Sequence, residues 1–153
     1  MIASRLKNFF RNTQFVDVAT CDKRCRPYAA PKFLLKVDGD KVYLADYVFG
    51  KTWYNLQENP LVSLTILDYD SLIGYQFNGE ASLLSDGAAY DELKQELQVR
   101  KIKSSVERVV KSVREEKLRH NFELIFPDKT GIIVVIVKEI VDIDPTGRLT
   151  RDK

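Results

Sequence analysis

Over the first 85 residues, hydrophobic and polar positions alternate in short runs separated by turn residues, the pattern of half-buried strands. The clearest run is FVDVAT, within Gln14 to Cys21, where apolar or β-branched residues recur at every second position and predict the first strand. Asp22 to Cys25 turns the chain. Arg26 to Val37 reads as a second strand, and Pro27 and Pro31, which carry no N–H, confine parts of it to an edge or a bulge. Asp38-Gly39 marks a hairpin, because glycine accepts a positive φ at little cost, and Lys41 to Ala45 returns as the third strand. Ahead of these, Ile2, Leu6, Phe9 and Phe10 recur at helical spacing and Asn12 supplies a stop, so a short first helix is expected.

The period changes further along. Gly50 to Asn59 reads as a short helix closed by Pro60, and Leu61 to Leu67 as the fourth strand. Ser71 to Leu84 is a long strand in which Gly74 and Gly79 suggest bends or a barrel corner. Residues 86–119 are helical: Tyr90, Leu93 and Leu97 form one stripe, and Ile102, Val106, Val109 and Val113 another. The phase slips between them, and Ser104 with Glu107 fits a capping box, so two helices or one broken helix are expected. Gly131 to Ile143 is the last strand. Six strands, mostly in consecutive antiparallel pairs, with helices grouped late, describe an all-β barrel or an α+β fold rather than a doubly wound sheet.

Composition narrows the class. The 153 residues are 44% hydrophobic and 30% charged, which suits one globular domain spanning residues 1–153. No apolar run approaches the ~18 residues of a membrane span, and MIASRLKNFFRN lacks a signal peptide's hydrophobic centre, so the cytoplasm is the expected location. Cys21 and Cys25 have no histidine or third cysteine nearby and are not at CxxC spacing, so they read as small residues flanking a turn. The net charge of +2 is too small to argue for nucleic acid. It is unevenly spread: residues 1–36 carry +6, 37–98 carry −8, 99–120 carry +5 and 121–153 carry −1. Basic zones around an acidic middle suit an anionic ligand, a self-associating surface or ordinary solvated faces.

Side chains for catalysis are scarce. His120 is the only histidine, with no nucleophile beside it and no partners for a metal site, so no catalytic side chain and no metal are expected. It suits a helix C-terminus. Asp68 and Asp70 flank a tyrosine as turn formers, and no glycine-rich phosphate motif occurs. The basic run from Arg100 to Arg119 is interleaved with valines at helical spacing and reads as a solvated face. One segment differs. In YLADYVFGKTWYNLQENPLV, residues 43–62, Gly50-Lys51-Thr52 opens a helix behind a strand. Free backbone N–H groups and a positive dipole end suit a phosphate there, with Lys51 adding charge and Thr52 a hydroxyl.

The block RPYAAPKFLLKVDGDKVYLADYVFGKTWYNLQENPLVSL, followed by GYQFNGEAS, resembles the pyridoxamine 5′-phosphate oxidase-like proteins with the FMN-binding split barrel. The order carries the likeness: FVDVAT, a polar turn, R-P, a D-G hairpin, then G-K-T, N-L and N-P, with Gly79 in a long strand and Asp86-Gly87 beyond. It covers roughly residues 13–90 and the final strand. The resemblance implies a six-stranded antiparallel split β-barrel with flanking helices, assembled as a homodimer with FMN in clefts between subunits. By the same resemblance, Lys51 and Thr52 match positions that hold the FMN phosphate. Ala30, Pro31, Lys32 and Phe33 match the segment along the isoalloxazine ring, and Ala45, Asp46 and Tyr47 the strand end beside ring and ribityl chain. Asn55 lies one turn further on, placed equally well for the ligand or for the helix's own polar face.

Two departures stand out. Cys25 occupies a turn position where the family commonly has glycine, and no basic residues match those with which pyridoxamine phosphate oxidases hold their substrate's phosphate. Vitamin B6 oxidation is therefore not expected. The expected function is an FMN-binding oxidoreductase, with small-molecule electron donor and acceptor, in which backbone N–H groups near Pro31 to Phe33 hold the ring. Lys32 reads either as a charge tuning the reduced ring or as a solvated lysine on a strand. The alternatives are the same barrel holding deazaflavin or haem, or a non-catalytic flavin-binding or regulatory module.

Overall fold

Alternation in the first strand becomes a wall with one wet face. In β1 (Phe15–Cys21), Val16, Val18 and Thr20 are buried while Phe15, Asp17 and Ala19 are exposed. The computed structural model describes residues 9–100 apart from 12, and 129–152 apart from 145, 147 and 148. β1 pairs antiparallel with β2 (Pro27–Asp38) on one side and β4 (Leu61–Asp68) on the other, Val18 lying opposite both Ala30 and Leu64. β3 (Lys41–Asp46) follows β2 through the hairpin at Gly39, whose φ of +61° is the conformation glycine was expected to supply.

β5 (Ile73–Leu84) pairs with β4 and β6 (Gly131–Ile143), and β6 closes on β3, giving a six-stranded antiparallel barrel in the order β3-β2-β1-β4-β5-β6. A short β7 (Leu149–Asp152) extends the sheet beyond β6. It was not anticipated, because four residues without alternation carry no strand pattern. Gly79 is the bend: the β5–β6 register shifts between Asn78 and Gly79, and a Cβ there would lie 2.1 Å from the carbonyl oxygen of Ile136.

The barrel interior is filled by Val16, Val18, Leu34, Val42, Leu44, Leu64, Phe77, Ile133 and Val135. The helical residues 9–11 (α1) lay Phe10 against Phe77, ring centroids 5.3 Å apart. α2 (Lys51–Glu58) packs Trp53 and Leu56 into the same cluster and stops before Pro60, with Asn59 N–H donating to Asn55 O at 2.8 Å. A second cluster lies outside the barrel wall. There the helix 88–100 (α3) sets Tyr90, Leu93 and Leu97 against Phe33, Leu35, Ala45, Ile132 and Val134. The Tyr90 hydroxyl donates to Thr130 O at 2.7 Å. The rest of the first helix, the second helical stripe, the Ser104–Glu107 capping box and His120 lie outside the described residues.

Candidate functional site

The β1–β2 turn sets the start of the site. Asp22 accepts from the backbone N–H groups of Arg26 and Arg24 at 3.0 and 2.9 Å and from the Arg26 guanidinium at 2.6 Å. The Arg26 backbone bond above all, with the guanidinium of the same residue, holds the Asp22 carboxyl below its ordinary range. Cys25, at φ +58°, takes the left-handed conformation that glycine favours, so this turn is built despite the side chain.

Beyond the turn, residues 27–32 of β2 pair with β1 alone, Phe33 pairs with both β1 and β3, and the rest of the strand runs along β3. The first half of β2 is therefore an open edge. Leu34 N–H donates to Gln14 O, and Asp22 N–H to Arg26 O, so alternation turns the even-numbered residues of β2 toward β1. The outward N–H positions at 27 and 31 are prolines, which have none to leave unpaired. Of the segment Pro31 to Phe33 expected to hold a ring, Lys32 has its N–H aimed at β1 and Phe33, the ladder partner of Ala45, turns its N–H to β3, so the outward N–H of this edge belongs to Ala29. The outward carbonyls make the edge chiefly an acceptor.

Alternation also separates the side chains. Lys32 lies opposite the buried Val16 and turns into the barrel, where its Nζ lies 2.9 Å from Asp46 Oδ1. It is neither solvated nor turned outward with Phe33. Phe33 faces the outer wall, opposite Ala45, with its ring centroid 6.4 Å from Tyr47 and 5.7 Å from Phe15. Arg100 stacks over Phe33 at 5.6 Å and donates to Leu35 O. Burial pushes the Tyr47 phenol well above its ordinary range.

The loop after Asp46 leads into α2. Gly50 is its N-cap without a side-chain hydrogen bond, and its first turn contains no acidic residue. Lys51 is exposed and Thr52 fully buried; among the described residues Lys51 makes no ion pair and the Thr52 hydroxyl has no hydrogen-bond partner. Asn55 is buried and donates to Thr20 Oγ1 at 3.1 Å, so its amide ties α2 to β1. α2 packs on β1, β2 and β5, which brings Lys51, Thr52 and Asn55 to the barrel end that also holds Thr20.

The expected site residues thus fall into three sets. Lys32 and Asp46 form a buried ion pair. Phe33, Ala45 and Tyr47 share the outer wall, with Ala30 and Pro31 on the open edge beside them. Lys51, Thr52 and Asn55 ride on α2. Sequence reading missed Phe49, Trp53 and Gly131. Trp53 packs edge-on against Phe49, centroids 4.7 Å apart, and its ring fills the space a Cβ on Gly131 would need, at 2.2 Å. No periodicity could show this, since the contact joins residues 78 apart in the chain. Among the described residues no cluster of three metal-ligating side chains occurs. The arrangement offers an uncapped helix start free of acidic residues at α2 and a row of outward carbonyls along β2.

A yeast protein, the pyridoxamine 5′-phosphate oxidase homolog of Saccharomyces cerevisiae, is 32% identical over 79 residues, covering 44% of this chain and 40% of that relative. Solved structures share the fold, two of them as follows. HupZ of Group A Streptococcus superposes with a TM-score of 0.70 at 23% identity, covering 98% of this chain and 99% of the other. A pyridoxamine 5′-phosphate oxidase-related, FMN binding protein of Nostoc punctiforme gives 0.59 at 12%, covering 97% and 92%. The family model for pyridoxamine 5′-phosphate oxidase matches residues 2–126, and with the barrel order and the segment from Arg26 to Leu64 it settles the assignment: this chain belongs to the pyridoxamine 5′-phosphate oxidase family.

Proposed function

We propose that this protein is an FMN-binding oxidoreductase that works as a homodimer, passing electrons between a small-molecule donor and acceptor. The observation that carries the reading is the start of α2: uncapped, free of acidic residues and bearing an exposed Lys51 that has no ion-pair partner among the described residues. A lysine there opposes the helix dipole, so the helix alone gives no reason for it, and a phosphate does. The enclosed hydroxyl of Thr52, without a partner among the described residues, adds a group that a ligand or a small shift could satisfy.

The remaining residues fit a flavin. Lys51 and the first-turn N–H groups would hold the phosphate, the outward carbonyls of Pro27, Ala29 and Pro31 would accept from a ring N–H, and the outward N–H of Ala29 would donate. Phe33 and Tyr47 supply an apolar border that keeps water from one side. FMN, when bound, supplies the electron-transfer chemistry, so no side-chain acid, base or nucleophile is obligatory.

A second subunit fits the bare side of the barrel. The outer rows Asp17–Thr65–Gln76 and Ala19–Ser63–Asn78 carry no helix among the described residues. An open groove of about 620 Å³ lies along the second of these rows, lined by Ala19, Ser63, Asn78 and the exposed Leu61. Two unpaired cysteines agree with a reducing cytoplasm. No helix among the described residues is long and apolar enough to cross a membrane.

Calorimetric titration with FMN and with riboflavin tests the reading. A charge-assisted phosphate contact worth ~1.5–3 kcal/mol predicts that FMN binds about tenfold to a hundredfold tighter and that Lys51→Ala removes most of that margin. Equal affinities for the two would refute the phosphate site. The absorption spectrum of purified protein separates FMN from deazaflavin, haem or an empty module.

A further inference from the structure

The pair Lys32–Asp46 is expensive to keep. Burying two opposite charges rarely stabilises a fold more than apolar residues of the same volume would, and here Asp46 Oδ2 is enclosed with no partner among the described residues. What Asp46 Oδ1 does offers a reason. Besides Lys32 Nζ it accepts the backbone N–H of Val48 at 3.2 Å, pinning the loop that leads to α2. The next residue, Phe49, is held at φ +47°, a left-handed conformation costly for a bulky side chain. Its ring rests edge-on against Trp53, and Trp53 lies on the bare backbone of Gly131. Gly131 is in turn the β-ladder partner of Asp46. The chain of contacts Asp46, Val48, Phe49, Trp53, Gly131 therefore returns to its origin, and Gly50, the N-cap of α2, is enclosed within it.

We infer that this closed circuit, fastened by the Lys32–Asp46 pair, holds the start of α2 in its anion-binding geometry before any ligand arrives. Lys32 and Asp46 are positioning residues: they act through Val48 and Phe49 on the helix N-terminus and touch no ligand. Lys32 has a second task. Asp46 stands only four residues before Gly50, and its carboxylate would repel a phosphate there if the ammonium did not cancel it. The inference rests on reading α2 as the phosphate site. Preorganisation of this kind raises affinity by removing the ordering cost at the moment of binding.

The test compares Lys32→Met/Asp46→Leu, which removes both charges and the acceptor, with Lys32→Met/Asp46→Asn, which keeps a neutral acceptor for Val48 N–H. Amide hydrogen exchange of residues 47–50 in ligand-free protein is measured beside FMN affinity. In the leucine variant the loop amides should exchange at least about tenfold faster and FMN binding should weaken about tenfold, while the asparagine variant recovers most of both. Slow exchange and unchanged affinity in the leucine variant overturn the inference. Should that variant not fold, Phe49→Gly cuts the circuit at Trp53 while suiting the positive φ, and wild-type exchange and affinity there overturn it equally. The lone Trp53 gives the same comparison a fluorescence readout. The exchange arm needs no ligand, so a wild-type protein that fails to bind FMN sinks the phosphate site and still leaves the circuit to be decided.

Discussion

The two walls of the barrel are built from the same kind of strand and treat their outer faces differently. On the β2–β3–β6 side, Phe33, Leu35, Ala45, Ile132 and Val134 face outward and are buried under α3. On the β1–β4–β5 side the outward positions are Asp17, Ala19, Ser63, Thr65, Gln76 and Asn78, half-buried or exposed. Gln76 donates to Ser63 and Asn78, and Asn78 to Glu139, so polar groups there satisfy one another across strands. A covered wall turns its strands apolar on both faces, and a bare wall keeps them alternating. The first wall holds the fold together. The second is free to meet something else.

The largest effect should come from stripping the covered wall. Leu97→Ala removes a fully buried side chain from beneath α3 and should cost about 2–5 kcal/mol in urea unfolding. A loss under ~0.5 kcal/mol would show that α3 is not integral to this wall. Ala19→Arg should do the reverse: an exposed position on the bare wall, it should change monomer stability by no more than ~0.5 kcal/mol while shifting light-scattering mass from dimer to monomer. An intact dimer would place the subunit contact elsewhere. The smallest effect belongs to the turn joining the walls. Asp22 has a folded pKa below its ordinary value of 3.8, so its support is present above that value and is lost as pH falls below it. Exchange at Arg24 and Arg26 should therefore be insensitive to pH above about 4, after correction for intrinsic rates, and gain protection-loss only in more acid solution. Asp22→Asn should abolish that acid dependence.

Much of this contrast is legible in the residues. FVDVAT announces a strand with one wet face, while FLL and IIVVIV, with no polar interruption, announce strands buried on both. The stripe Tyr90, Leu93 and Leu97 gives α3 its buried side. Turn chemistry is equally local: Asp68 accepts from Asp70 N–H and from the Ser71 hydroxyl, as a turn-forming aspartate should. The site is legible in part. The family resemblance points to both Lys32 and Asp46 but assigns each to a cofactor, and the parity of β2 alone puts the Lys32 side chain on the opposite face from Phe33.

The sequence by itself determined six of the seven strands, their wet and dry faces, the turns and the helix that opens with Lys51, because each follows from residues within a few positions of one another. Tertiary structure alone decided that β3 closes on β6, that Lys32 spends its charge on Asp46, and that Trp53 settles on Gly131. Those contacts join residues 14 to about 90 positions apart, and the spacing between partners is fixed by how the barrel shuts. A hydrophobic period records which face of a strand is buried, but not which distant group will be waiting there.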